Sequence, residues 1–392
     1  MNHKRLVIIL QCGSALGAMS YGVMFTVLDD FRNRYGISES KLGLIVASGF
    51  LAGFLANIFI APIADKGFAR RIVSLGLIMQ VVGCLVMAFG SSFLVLLLGR
   101  FLTGIGSGAA DPALRRIIIL ANPEEMGSNL GRIVAAGVAG FALGPLVSAV
   151  TVEPLGLASP FLIVAGCLVV VFVLLIRVHV DEASREEAPA QRFAFDLLLV
   201  RPIAGVIVIG LALYIMIGSF DAVWSLMMDD INAPDWVASV GITVFALPMM
   251  FLAPLGGRLT QKYGPFKASI SGLTIAAVFM TLYGTLSSPY LMLVVGVLHG
   301  IVDGLTITGG SAALAMVAPP NRLASAQGVY TGTITLAGGL AAGLAGVTYD
   351  HIGQGTYIVC AVIMIVLIYS GALLARQYLG IKAGVTQPLL AD

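Results

Sequence analysis

Twelve runs of about twenty apolar residues punctuate this chain, and they constrain its fold more than any other feature. They lie near residues 6–28, 41–63, 72–90, 92–113, 132–152, 158–177, 202–226, 236–255, 268–286, 289–312, 324–346 and 355–376. A helix of about 20 apolar residues crosses the hydrocarbon core of a bilayer. No water is present there to satisfy an open backbone, so helices are one of only two spanning solutions. The expected fold class is an all-α integral membrane protein with twelve transmembrane helices in two six-helix bundles. Of the 392 residues, 58% are hydrophobic and 11% charged, where a soluble domain carries about a quarter charged. The first run follows the basic Lys4 and Arg5 but outlasts the h-region of a signal peptide, about 7–15 residues. It is read as a retained helix.

Composition also excludes several functions. Lys and Arg number 22 against 20 Asp and Glu, with no basic domain or stripe, so nucleic acid is not an expected partner. Cys12, Cys84, Cys167 and Cys360 stand singly in apolar runs, which provides neither a disulfide framework nor metal-ligand spacing; they read as small packing residues. No phosphate-binding G-x-x-x-x-G-K-[ST] loop, H-E-x-x-H helix or G-x-S-x-G elbow occurs. An enzyme, a cofactor, a metal and direct use of ATP are therefore not expected.

Sidedness follows from the basic residues between the runs, which stay on the cytoplasmic side. With both termini inside, the inner segments hold Lys4, Arg5, Lys66, Arg70, Arg71, Arg115, Arg116, Arg132, Arg177, Arg185, Arg192, Arg201, Arg258, Lys262, Lys267, Arg322, Arg376 and Lys382. The outer segments hold only Arg32, Arg34 and Lys41, and Arg100 lies within a run. One missed helix would invert every later loop and destroy this asymmetry. The expected location is a bacterial inner membrane with both termini cytoplasmic.

The longest polar stretch, about 178–201, follows the sixth run and divides the chain into bundles at 1–177 and 202–392. The halves repeat. APIADKGFARR at 61–71 aligns with GRLTQKYGPFK at 257–267 at an offset of 196 residues, and Gly104 and Gly108 fall on Gly300 and Gly304 at the same offset. Asp29-Asp30 falls on Asp229-Asp230 at an offset of 200; these pairs read as helix-end acids facing outer water. Parallel six-helix repeats are one plan of secondary transporters, with substrate held near the bilayer midplane where the halves meet.

With these features, the chain resembles the major facilitator superfamily over nearly its whole length. Residues 61–71 resemble the family signature G-x-x-x-D-[RK]-x-G-R-[RK]: Asp65 and Lys66 match, Ala61 replaces the leading Gly, and Arg70-Arg71 stand one place later. Gly99-Arg100 with Gly104, Gly106 and Gly108 is similar to the helix 4 motif with its intramembrane arginine. Gly131, Gly140, Gly144 and Pro145 are spaced like the antiporter motif G-x8-G-x3-G-P-x2-G-G, whose final pair is Ser148-Ala149 here. The resemblance implies the drug/proton antiporter branch. It also implies that 61–71 is a conformational latch and that the working unit is a monomer.

The residues suggest roles. Arg100, about eight residues into its helix and roughly 12 Å deep, costs about 2.5 kcal/mol or more in apolar surroundings, so it faces the bundle interior. Its functional reading is coupling to a nearby acid or holding an anionic group; its structural reading is an ion pair. Asp303 stands about 21 Å from the outer surface, with Thr306 and Thr308 nearby and His299 one turn away. Low-dielectric surroundings disfavour a bare carboxylate, so Asp303 is the candidate proton carrier and His299 its weaker companion. Asp221 with Tyr214 and Trp224 at i−7 and i+3 would suit a lipophilic cation. Asp65, Lys66, Arg70, Arg71 and Asp111 cluster at the inner face, where charges that pair in one state and part in the other bias a rocking equilibrium. Glycines in the fifth and eleventh helices permit close backbone approach, and Pro145 weakens the local ladder.

The leading expectation is a proton-coupled exporter of a small amphiphilic organic molecule working by alternating access, with substrate, protons and lipid as its partners. The alternatives are a symporter importing an organic acid or sugar, and a non-transporting receptor or assembly subunit.

Overall fold

The computed structural model describes residues 3–180, 182, 188–191 and 193–382. Arg185, Arg192 and the tail after Lys382 lie outside the described residues. The described chain is helical, without a strand. Its first half comprises α1 (His3–Thr26), α2 (Leu28–Tyr35), α3 (Glu39–Phe59), a tight 3-10 turn (Ala61–Lys66), α4 (Ala69–Phe89), α5 (Phe93–Ala121), α6 (Met126–Leu155) and α7 (Ser159–Ile176). The second half comprises α8 (Arg201–Asp230), α9 (Asp235–Tyr263), α10 (Pro265–Tyr283), α11 (Pro289–Thr306), α12 (Gly309–Val317), α13 (Leu323–Ile352) and α14 (Gly355–Leu374). Among the described residues 12 segments are long and apolar enough to cross a membrane.

The helices outrun the apolar windows where polar residues are satisfied locally. α5 continues past residue 113 because Arg115 Nε pairs with Asp111 Oδ2 at 2.8 Å, one turn back, and it ends where Pro123 follows Asn122. Residues 257–263, expected as a loop, are the last turns of α9, which ends at Gly264 with φ of 104°. The equivalent stretch of the first half is the 3-10 turn closed by Gly67, at φ 81°. Both glycines sit where a side chain would be strained. The tenth apolar run is two helices rather than one: Thr306 Oγ1 donates to Val302 O at 2.8 Å, and Gly309-Gly310, poor helix formers, follow.

The helices cluster in two compact units. One holds Met1–Asn122, Arg132–Ala194 and Pro320–Gly332; the other holds Pro123–Gly131, Phe195–Pro319 and Thr333–Asp392. The first turns of α6 and α13 are thus grouped apart from the rest of their helices. In the first unit, Gly104 and Gly108 of α5 leave no room for a Cβ against the Gly49 and Gly53 backbone of α3. In the second, Gly300 and Gly304 of α11 meet the Phe245 and Pro248 backbone of α9 in the same way. The repeat read from sequence is thus a repeat of two close helix crossings, the small-residue contact on which membrane helices rely when lipid is as apolar as their side chains. Large apolar residues accordingly remain on the outside, with Leu94 71% and Val150 69% exposed.

Candidate functional site

Arg100 is fully buried on α5. Its Cζ lies 3.6 Å from the centroid of the Tyr21 ring of α1 and 5.9 Å from that of Phe50 of α3. Tyr21 is held in turn by Ser107 Oγ at 3.0 Å and donates to Gly49 O at 3.3 Å. Gly49 makes the space: a Cβ there would stand 3.0 Å from Arg100 Cζ. None of the three guanidinium nitrogens has a hydrogen-bond partner among the described residues. In place of the ion pair of its structural reading Arg100 has a ring face, an attraction of about 2 kcal/mol when desolvated.

Asp303 of α11 is also fully buried, and neither carboxyl oxygen has a hydrogen-bond partner among the described residues. Its Oδ2 lies 3.6 Å from His299 Nε2, confirming the one-turn spacing. That imidazole contacts Met216 Sδ at 3.2 Å through Nε2 and the Tyr283 hydroxyl at 3.4 Å through Nδ1. Around it stand Phe220, Phe245 and Phe279, whose ring centroids are 6.4, 5.0 and 5.2 Å from that of His299. Thr306, expected beside Asp303 as a polar neighbour, turns its hydroxyl back onto its own helix. The acid thus stands one turn from an imidazole that is itself ringed by aromatic side chains.

Asp221 is exposed on α8, whereas Trp224 is fully buried, 5.1 Å from Phe220 and 6.0 Å from Tyr283 between ring centroids. The indole lodges against Gly241 of α9, where a Cβ would collide with it. Tyr214 is half-buried and packs by its Cβ against Gly338 of α13.

Of the five residues expected in the latch, Asp65 alone forms a buried hub. Its Oδ1 accepts from Arg116 Nε at 3.0 Å and Ala324 N at 2.9 Å. Its Oδ2 accepts from Ser325 N and Ser325 Oγ, both at 2.7 Å. Those two amides open α13, so the carboxylate caps that helix and complements its dipole. The other four are engaged elsewhere or simply placed nearby. Asp111 pairs with Arg115. Arg71 lies 5.3 Å over the Phe68 ring. Arg70 donates from its side chain to Ile176 O, and its amide, with that of Ala69, donates to the Glu182 carboxylate at 2.7 and 2.9 Å. Lys66 ends the 3-10 turn.

Arg116, Ser325 and Gln261 were missed as partners. Gln261 of α9 stands at Asp65 plus the repeat offset of 196, and it caps α6. Its Oε1 accepts from Gly127 N at 2.8 Å, and its Nε2 donates to Pro123 O and Glu124 O at 3.0 and 2.9 Å. Arg258 Nε donates to Ser128 Oγ at 3.2 Å, and Ser128 lies 197 residues before Ser325. Gln261→Ala removes a cap worth about 1 kcal/mol; the expected outcome is a lowered thermal midpoint of the purified protein, with the exposed control Gln377→Ala unchanged.

The fifth-helix motif is a packing device in two places. Gly140 and Gly144 of α6 meet the Ala15 and Gly22 backbone of α1, while Gly131 meets Ala253 and Pro254 of α9; a Cβ would clash at each. Ser148, in place of a motif glycine, donates to Val23 O at 2.8 Å. Pro145 lies inside the continuous helix α6. Gly144→Val drives a branched side chain into backbone that cannot yield; overpacking costs about 1–3 kcal/mol or more. The expected result is loss of the monodisperse peak in size-exclusion chromatography, with Gly343→Val, which meets open space, as the tolerated control.

Twelve segments long and apolar enough to cross a membrane, a six-helix repeat and buried charged side chains within them mark a polytopic membrane protein. The chain belongs to the Major Facilitator Superfamily, whose sequence profile matches residues 10–228 and 206–380. It is 25% identical over 249 residues to the quinolone resistance protein NorA of Staphylococcus aureus strain MSSA476, covering 61% of this chain and 63% of that protein. It is 23% identical over 317 residues to the multidrug resistance protein MdtG of Enterobacter lignolyticus strain SCF1, covering 78% and 76%. Among solved structures, the human organic anion transporter MFSD10 superposes with a TM-score of 0.77 at 16% identity, over 95% of this chain and 100% of that one. The proton:xylose symporter XylE superposes with a TM-score of 0.78 at 13% identity, over 96% of each.

Proposed function

We propose that this transporter is a proton-coupled exporter of small amphiphilic organic molecules. It works by alternating access as a monomer in a bacterial inner membrane, with both termini cytoplasmic. The observation that carries the reading is Asp303, a fully buried carboxyl with no hydrogen-bond partner among the described residues and an imidazole 3.6 Å away. An intramembrane acid without a structural partner is retained for a task, and exchanging a proton is the task its chemistry allows. The resistance proteins among its relatives support export. His299 assists Asp303, and Arg100 and Asp221 meet substrate or sense its charge. The bundles 1–177 and 202–392 rock about the linker 178–201, and the Asp65 clasp on α13 is the latch, formed in one state and parted in the other.

Import of an organic acid by symport is the second reading, and Arg100 without a carboxylate partner favours it. Everted membrane vesicles holding an interior-acid gradient test the choice. On the export reading, an amphiphilic substrate collapses the gradient by exchanging for protons. Vesicles in which no compound from a panel of amphiphilic cations, aromatic acids and sugars moves protons sink the coupling.

A further inference from the structure

Arg100 is fully buried within its span, and none of its three guanidinium nitrogens has a hydrogen-bond partner among the described residues. Arg115 and Arg116, lower on the same helix, each hold an aspartate within 3.0 Å. The guanidinium of Arg100 is walled on one side by the Tyr21 ring at 3.6 Å, yet all its N–H donors lack acceptors among the described residues. A ring face attracts the charge but accepts no in-plane hydrogen bond, so the fork that matches an oxyanion in two parallel bonds is left open. Its surroundings are built to hold it: Tyr21 is pinned by Ser107 and the Gly49 carbonyl, and Gly49 has no side chain that would displace the guanidinium.

We infer that Arg100 is the binding point for the carboxylate of an aromatic acid, which makes amphiphilic organic anions, more than lipophilic cations, the substrate class. The inference deepens the export reading by naming its substrate, and it stands whichever way protons move. The charge selects the oxyanion, Tyr21 fixes the plane of the fork, and Phe50, 5.9 Å away and partly exposed, offers a ring face to the acid's apolar body. The subsite is closed in this structure; it opens in the state that admits substrate. The other source of an oxyanion in a membrane is a lipid phosphate, and the two are separable.

The test is equilibrium binding to the purified full-length protein in a phospholipid-free detergent, using 1-naphthoate, its methyl ester and 1-naphthylmethylammonium as probes. Naphthoate is expected to bind at least about tenfold more tightly than either other probe, because only it fills the bidentate fork. Arg100→Gln is expected to erase that preference and Arg100→Lys to weaken naphthoate by about tenfold, since an ammonium is a point charge. Gly49→Ala, which crowds the guanidinium without changing charge, gives a second route to the same loss if Arg100→Gln does not fold. Equal naphthoate affinity in wild type and Arg100→Gln, or tighter binding of the ammonium, overturns the proposal. Naphthoate displaced by phosphatidylglycerol micelles but never by its own ring analogues also overturns it, in favour of a lipid headgroup. Naphthoate binding lost with Arg100 in a protein that moves no protons leaves the subsite standing and sinks the coupling. Proton exchange with a cation and no naphthoate binding does the reverse.

Discussion

Asp303→Asn abolishes gradient-driven transport and leaves substrate exchange intact: this is the largest effect the structure predicts. Asn has the shape of Asp but no proton to give or take, so the packing beside His299 is preserved while the exchangeable proton is lost. Folding should not suffer, because the carboxyl makes no hydrogen bond that Asn would forfeit, and removing an ionisable group from an apolar site relieves a desolvation penalty. In proteoliposomes with an imposed pH gradient, uptake of labelled substrate should fall to that of protein-free vesicles. Counterflow at equal pH should stay within about twofold of wild type, and the thermal midpoint should hold or rise. Loss of both activities with an intact fold would make Asp303 a substrate ligand instead.

Asp65→Ala carries the second large effect. It strands the Arg116 guanidinium, which is almost fully buried, and leaves the Ala324 and Ser325 amides at the start of α13 without their acceptor. Removing one member of a buried pair costs about 3–5 kcal/mol, so the state that contains the clasp should lose roughly 150- to 4,000-fold in population relative to one without it. A cysteine at Ala326, 1% exposed beside the clasp, should label slowly in a protein whose four native cysteines are replaced by Ser or Ala, and much faster with Asp65→Ala. Replacing both partners, Asp65→Ala with Arg116→Leu, should recover much of the loss, since an apolar pair leaves no stranded charge. If the double variant labels as fast as the sum of the singles predicts, the two residues are not coupled and the latch is something else.

The spans were legible because hydropathy in a membrane is set residue by residue over about 20 positions. The offset of 196 residues foretold that Gly104 and Gly300 would occupy matching crossings. Helix ends were less legible: α5 and α9 outlast their apolar windows through an ion pair and a glycine stop, which no hydropathy sum contains. Arg116 was counted as one more inner-loop charge, and its partnership with Asp65, 51 residues away, depends on how α5 meets the 3-10 turn. Gln261 was within reach, since adding the repeat offset to Asp65 lands on it, but glutamine carries no charge to draw the eye. Tyr21 and Gly49 carry no signal at all; they matter to Arg100 only through the register of three helices.

The central claim is that protons and substrate move in opposite directions through this chain, and one recording tests it directly. Purified protein in liposomes carries an interior pH dye, and a labelled aromatic acid and a labelled lipophilic cation are supplied in turn outside, at equal pH and clamped membrane potential. Exchange predicts that inward movement of the substrate alkalises the interior as protons leave, in step with uptake and absent in Asp303→Asn. Proton entry accompanying the same substrate inward would contradict the account and make this transporter a symporter.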